Sequence, residues 1–165
     1  MYTRQEVTTT VYDFAALTRC SIAECGTIRM TTPTTGNALP QSAASAVQQG
    51  FAISGNRAPI VIVYSGTIVK TGDTYGVLYQ DSELATTSTY ITRAPRILFQ
   101  IVAADAAGIT NGVDLYIVDA TMRVTHDANG GANKWIGKCI GAVETDPTGL
   151  PAGKYVPTNF TQVAL

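Results

Sequence analysis

The sequence predicts an all-β fold, a small barrel or sandwich that follows an extended N-terminal arm. Short runs of β-branched and aromatic residues recur every eight to twelve residues from Ala58 onward, with turn-forming residues between them. That spacing favours a small barrel or sandwich over a βαβ arrangement. In several runs apolar and polar residues alternate, Leu115 and Ile117 against Asp114 and Tyr116 for example, so one face meets a core and the other meets water or a partner. The stretch Asn111–Glu144 reads as three strands, Val113–Val118, Met122–Thr125 and Trp135–Val143, cut by an Asp-Ala-Thr turn and a Gly/Asn-rich turn.

Taken in order, residues 1–12 are threonine-rich and end in Val11 and Tyr12, which suits an extended arm or a first edge strand. From Asp13 to Gly26 a short helix fits, with Asp13 as N-cap and Gly26 just past the end, although the partial periodicity leaves a strand open. Residues 31–50 hold Pro33, Pro40, Gly36 and Gly50 and no charged side chain. Such a segment buries too little to offset its ordering entropy and orders mainly on a partner. Gln41–Gln49 would allow a turn or two of helix. The division is therefore an arm or extension over residues 1–51 and a β-rich core over residues 52–165.

In the core, Ala58–Tyr64, Thr67–Lys70 and Thr74–Tyr79 read as strands of a meander, with turns at Ser65-Gly66 and Thr71-Gly72-Asp73. Asp81–Arg96 is polar, ends near Pro95 and reads as a long excursion with a weak strand at Tyr90–Thr92. Ile97–Ala103 is apolar on both faces, hence a central strand, and Ala104–Gly112 is a loop. In Trp135–Val143 both faces look covered. Gly137 and Gly141 let another strand pack over the backbone or let the strand bend, marking Ile136-Gly137 and Ile140-Gly141 as the place where a barrel closes. Thr145–Gly153 is a turn-rich tail, and Asn159–Leu165 is a closing strand.

A length of 165 residues suits one domain, which buries roughly 70 % of the surface its unfolded chain exposes. The charged fraction is 14 %, low beside a hydrophobic fraction of 45 %, and Thr, Ser, Asn and Gln supply the polarity. Such a weakly charged surface suits a protein packed against neighbours. The net charge is −1 with no Lys/Arg run, so the electrostatic basis of nucleic-acid binding is missing. No stretch approaches the ~20 apolar residues of a membrane span. The start, Met1 to Glu6, lacks a secretory pattern, which predicts a soluble protein made in the cytoplasm. Cys20, Cys25 and Cys139 are odd in number with no C-x-x-C, which predicts free thiols.

The candidate chemistry is sparse. His126 sits in a turn with Asp127 beside it but with no recognisable nucleophile motif. Asp127-Ala-Asn129-Gly130-Gly131 resembles the start of a calcium loop, yet the completing acid is absent. Asp73, Asp81, Glu83, Asp105, Asp114, Asp119, Glu144 and Asp146 lie mostly at strand ends or in loops. No phosphate or dinucleotide cradle is present. The expectation is no enzyme, no metal and no cofactor.

The order Gly72-Asp73-x-x-Gly76-Val77, then Ile109-x-x-Gly112-x-x-Leu115-Tyr116, Met122-x-Val124-Thr125, Ile136-Gly137-x-x-Ile140-Gly141-x-x-Glu144 and Val163-Ala164-Leu165 resembles the capsid cement or head-decoration proteins of tailed bacteriophages. The resemblance covers roughly residues 58–165, and Asn111-Gly112-Val113-Asp114 stands where that family usually has Ala-Gly-Asp. It implies a small β-barrel or β-tulip-like domain that forms a homotrimer on the outer capsid surface of the virion and clamps the major capsid protein lattice. The candidate capsid or inter-subunit contacts are then Tyr2, Thr3, Arg4, Val7, Val11 and Tyr12 of the arm, since backbone pairing of an extended arm gives affinity without special side chains. A virion-displayed host-surface or glycan-binding module using loops such as Ser82–Tyr90 is the alternative. A hydrolase using Asp73, Asp119 or Asp127 is a third.

Overall fold

The computed structural model describes residues 14–31, 46–49, 59–63, 65–80, 82–83, 86–150 and 152–162. The predicted contact residues Tyr2, Thr3, Arg4, Val7, Val11 and Tyr12, the N-cap Asp13 and the final Val163-Ala164-Leu165 lie outside them.

The protein is all-β. A short helix α1 (Phe14–Thr18) precedes strands β1 (Gly26–Thr31), β2 (Ala46–Gln49), β3 (Pro59–Val63), β4 (Ile68–Thr71), β5 (Thr74–Leu78), β6 (Ser82–Glu83), β7 (Thr87–Gln100), β8 (Asp114–Val118), β9 (Arg123–Thr125), β10 (Lys134–Cys139), β11 (Glu144–Thr145) and β12 (Lys154–Phe160). A nine-stranded antiparallel sheet runs in the order β4-β5-β7-β12-β10-β8-β9, with β1 also on β7 and β11 on β12; β2, β3 and β6 form a second, smaller sheet. The large sheet curls into a half-barrel. Its curl brings the end of β7 back to the far strand β9, where Ile101 and Val124 form an isolated parallel bridge and the Val102 N–H donates to Val124 O at 2.9 Å. Asp119, in the turn between β8 and β9, meets Lys70 and Tyr75 of β4 and β5 across the same opening.

The core lies inside this curl. Ile97, Leu98, Phe99, Leu115, Ile117, Ile136, Tyr155, Val156 and Phe160 are fully buried, and the rings of Phe99 and Phe160 meet edge to face at 5.1 Å. Gly137 is where β10 and β12 approach most closely. A Cβ there would lie 1.8 Å from Asn159 O, and the β10–β8 register slips between Trp135 and Gly137 as a β-bulge.

Several local expectations change. The polar stretch Asp81–Arg96 is not an excursion: Thr87–Gln100 is one strand of 14 residues, and Ile97–Gln100 is its second half. Thr, Tyr and Ile favour the pleated conformation, and Pro95 falls where two β7 residues face one on β12, between the pairs Ala94–Phe160 and Ile97–Thr158, so no ladder donor is required of it. Gln49 and its neighbours from Ala46 form a strand paired to β3 rather than a helix. The helix in the 13–26 segment stops at Thr18, because Arg19 turns to φ +53 and the chain then enters a 3-10 turn at Ile22–Glu24. The closing strand starts at Lys154, earlier than Asn159. Strand β10 ends at Cys139, leaving Ile140 38 % exposed, so the two faces are not both covered to Val143. Closure is also elsewhere: β10 lies inside the sheet between β12 and β8, and the curl meets at Ile101–Val124.

Residues 14–31, assigned to the arm from sequence, belong to the packed domain. Leu17 is in the main core, and all six residues of β1 pair with β7 from Gly26–Arg93 to Thr31–Thr87. Within β1 only Ile28 and Met30 carry large apolar side chains, so the packing of that strand is set by its partner β7 rather than by its own pattern.

Candidate functional site

The residues singled out for chemistry do not converge. His126 is exposed, and its ring lies over Gly108, where a Cβ would come within 2.6 Å of it. Asp127 Oδ1 accepts the Asn129 N–H at 2.8 Å, and Asp127 O accepts from Asn133 Nδ2 at 2.9 Å, so the calcium-like loop is a self-bonded turn. Among the described residues no group of three or more His, Cys, Asp or Glu is placed to hold a metal. The three thiols are free, with Cys139 buried. Burial pushes the Cys25 thiol up, Cys20 and Glu24 add to this, and Arg93 opposes it.

The described acids hold the framework together. Glu144 accepts Arg19 at 2.5 Å and Arg96 at 3.0 Å, joining the end of α1 to β7 and β11. Asp114 accepts Lys138 Nζ and Trp135 Nε1, each at 2.9 Å, and those bonds hold its carboxyl below the usual range. Asp105 accepts from Thr125, and Asp146 accepts the Gly153 N–H at 2.7 Å. Asp119 accepts Lys70 Nζ at 2.6 Å and the Tyr75 hydroxyl. Burial pushes the Asp119 carboxyl up, but bonds from Lys70 and Tyr75 and the charges of Lys70 and Lys134 outweigh it and leave it lowered. Burial, with Asp119 and Asp73 nearby, raises the Tyr75 phenol far above its ordinary value, so it stays a donor. Asp81 and the Glu83 side chain lie outside what the structure describes.

The proposed glycan loop Ser82–Tyr90 is not a loop at its C-terminal end. Thr87–Tyr90 lie in β7, beneath β1, and Tyr90 is fully buried against Met30, Val69 and Leu78.

A groove of about 360 Å³ opens where β5 parts from β7. It is lined by Gly26 and Thr27 of β1, Asp73 and Thr74 of the β4–β5 hairpin, Thr92 and Arg93 of β7, Lys134 of β10, and Thr161 and Gln162 beyond β12. Strands β5 and β7 pair at Val77–Ile91 and Leu78–Tyr90, the Tyr79 N–H adds a bond to Thr89 O, and toward Tyr75 and Thr92 the pairing stops. Beyond that point the Gln162 side chain takes the place of a strand. Its Nε2 donates to Tyr75 O and Thr92 O, and its Oε1 accepts the Tyr75 N–H, all at 2.7 Å. The residue holds φ +60 to do this, an uncommon conformation for a glutamine. Thr92 is itself displaced, because the β1–β7 register steps from Gly26–Arg93 to Thr27–Ile91 and leaves it as the extra residue of a bulge.

Two further details shape the groove. Gly26 leaves room for the Arg93 stem: a Cβ at 26 would sit 3.1 Å from Arg93 Cβ and 3.3 Å from its Nε. Lys134 Nζ donates to Asp73 O, anchoring the hairpin tip to β10. Sequence reading named Asp73 alone among these residues as a candidate. Five separate chain segments meet here, and no local pattern joins them.

No family model, no curated protein and no solved structure matches the chain.

Proposed function

We propose that this chain is a structural capsid decoration protein that binds the outside of a tailed-phage head and stabilises the major capsid protein lattice. The observation that carries the reading is where the motif residues fall. Gly72 takes φ +59 at the first central position of the two-residue β4–β5 turn, where a II′ hairpin favours glycine. A Cβ at Gly76 would come within 2.7 Å of Met30 and 2.8 Å of Tyr90, Gly112 turns into β8 at φ +90, and Gly137 lies against Asn159. The pattern shared with cement proteins thus coincides with points where this half-barrel turns or packs side chains or backbone directly over a glycine. That supports a common architecture, from which the function is inferred.

Two surface features suit attachment to a protein shell. Strand β1 pairs with β7 alone among the described residues and exposes Thr27, Ile28, Arg29 and Thr31, leaving it open to a further strand. The groove beside it, with Arg93, Lys134 and threonine hydroxyls in its lining, offers directional contacts. Trimerisation and the arm contacts of Tyr2–Tyr12 belong to the same proposal.

The test is co-sedimentation of purified protein with expanded and with unexpanded heads. Saturable binding to expanded heads, weakened by deletion of residues 1–12, is expected. A monomer at high concentration that binds neither form, or that binds a glycan array instead, would sink the reading.

A further inference from the structure

We propose that the groove between the β4–β5 hairpin tip and β7 binds a carboxylate side chain on an extended segment of a partner protein. The cementing reading makes that partner a loop of the capsid protein, and only this identification depends on it.

Charge points to the ligand. Arg93 and Lys134 line the groove against one carboxylate, Asp73. Among the described residues the Arg93 guanidinium, like that of Arg123 on β9, donates no hydrogen bond and makes no ion pair, whereas Arg19, Arg29 and Arg96 are each engaged by carboxylates, hydroxyls or carbonyls. Lys134 gives one of its three N–H groups to Asp73 O, leaving two. A carboxylate placed between these cations gains charge-assisted bonds, which are stronger than neutral ones. Shape points to a peptide. The sheet already accepts one amide in the gap, that of Gln162, in the place of a strand. Thr27, Thr74 and Thr161 add hydroxyls able to donate or accept along a neighbouring backbone. A volume of about 360 Å³ is in the range of small ligand sites, sufficient for one acidic side chain and its flanking peptide groups.

The experiment is an NMR titration of the full chain, recording backbone amides and arginine Nε–H signals, with acetyl-Thr-Glu-Thr-amide and acetyl-Thr-Gln-Thr-amide as probes. Saturable shifts at Arg93 Nε, Thr27, Thr92 and Lys134 are expected with the Glu peptide, with affinity for the Gln peptide about tenfold weaker, the loss of one charge-assisted contact. Arg93→Gln and Lys134→Gln should each weaken the Glu peptide by a similar factor, while Arg123→Gln, at the exposed first residue of β9 and not in the groove lining, should not. Two independent groove variants guard against one of them unfolding. Equal shifts from both peptides, no shifts in the groove, or equal loss in the Arg123 variant would overturn the proposal. Co-sedimentation of the Arg93 variant reports separately on the capsid. If the unaltered chain fails to bind heads, the cementing reading falls while the titration still decides the groove.

Discussion

The two halves of β7 are held in different ways. From Ala94 to Gln100 the strand is laddered to β12 by backbone bonds, and Ile97, Leu98 and Phe99 are sealed against Tyr155, Val156 and Phe160. From Thr87 to Arg93 it is shared among β1, a two-residue contact with β5 and the side chain of Gln162. Stability in the first half comes from burial and geometry that many side chains share. From Thr87 to Arg93 one edge is laddered to β1, but beyond Ile91 the other edge hangs on the Gln162 side chain, and that is the edge that faces the groove. A sheet open at one end is free to present backbone and side-chain donors to a partner because its other end carries the core.

The sharpest way to break the comparison is at the sealed end. Gly137→Val should destabilise by about 3 kcal/mol or more, since its Cβ would meet backbone rather than a flexible side chain. Urea unfolding measures this, and an unchanged midpoint would mean that β10 and β12 are not in the close register described. Gln162→Ala should cost about 1–3 kcal/mol by leaving Tyr75 and Thr92 backbone groups without their partner. Hydrogen exchange should then quicken at Tyr75 while Phe99 and Val156 stay protected; uniform quickening would mean that the two halves are one cooperative unit.

The smallest effect is pH-dependent and belongs to Asp119, which joins the open edges of the sheet. Its carboxyl is lowered in the folded protein, so its contribution is fully present above the unfolded value near 4 and is lost as pH falls through the lower folded value. Melting curves from pH 7 downward should show part of the acid loss removed in Asp119→Asn. With the Asp119 side chain 53 % exposed the effect is modest, and identical acid profiles would show that the contact does not hold the edges together.

Much of the fold was legible in residues with strong local signals. The strands at Pro59–Val63, Ile68–Thr71, Thr74–Leu78 and Asp114–Val118 fall where β-branched runs and Gly-containing turns put them. The 14-residue β7 was obscured because Thr87–Arg93 is largely polar and Pro95 follows it, and the place of Pro95 at a bulge depends on a partner some 60 residues later. The strand at Gly26–Thr31 was missed for a related reason: Ile28 and Met30 alternate with Arg29 and Thr31 over only two apolar positions, and of these Met30 alone is buried, so the pattern is too short to read. The groove was not legible at all. Arg93, Lys134 and Gln162 sit in unrelated local contexts and become neighbours only when the sheet curls.

The sequence by itself determined that the chain is β-rich, where its tight turns lie, and that its surface is weakly charged, because these depend on side-chain shape and backbone freedom within a few residues. Only the tertiary structure decided which strands pair, that β7 spans two differently held halves, and that the curl meets at Ile101–Val124 and Asp119. Pairing over such distances is set by the total burial of a shared core, which no single stretch of the chain encodes.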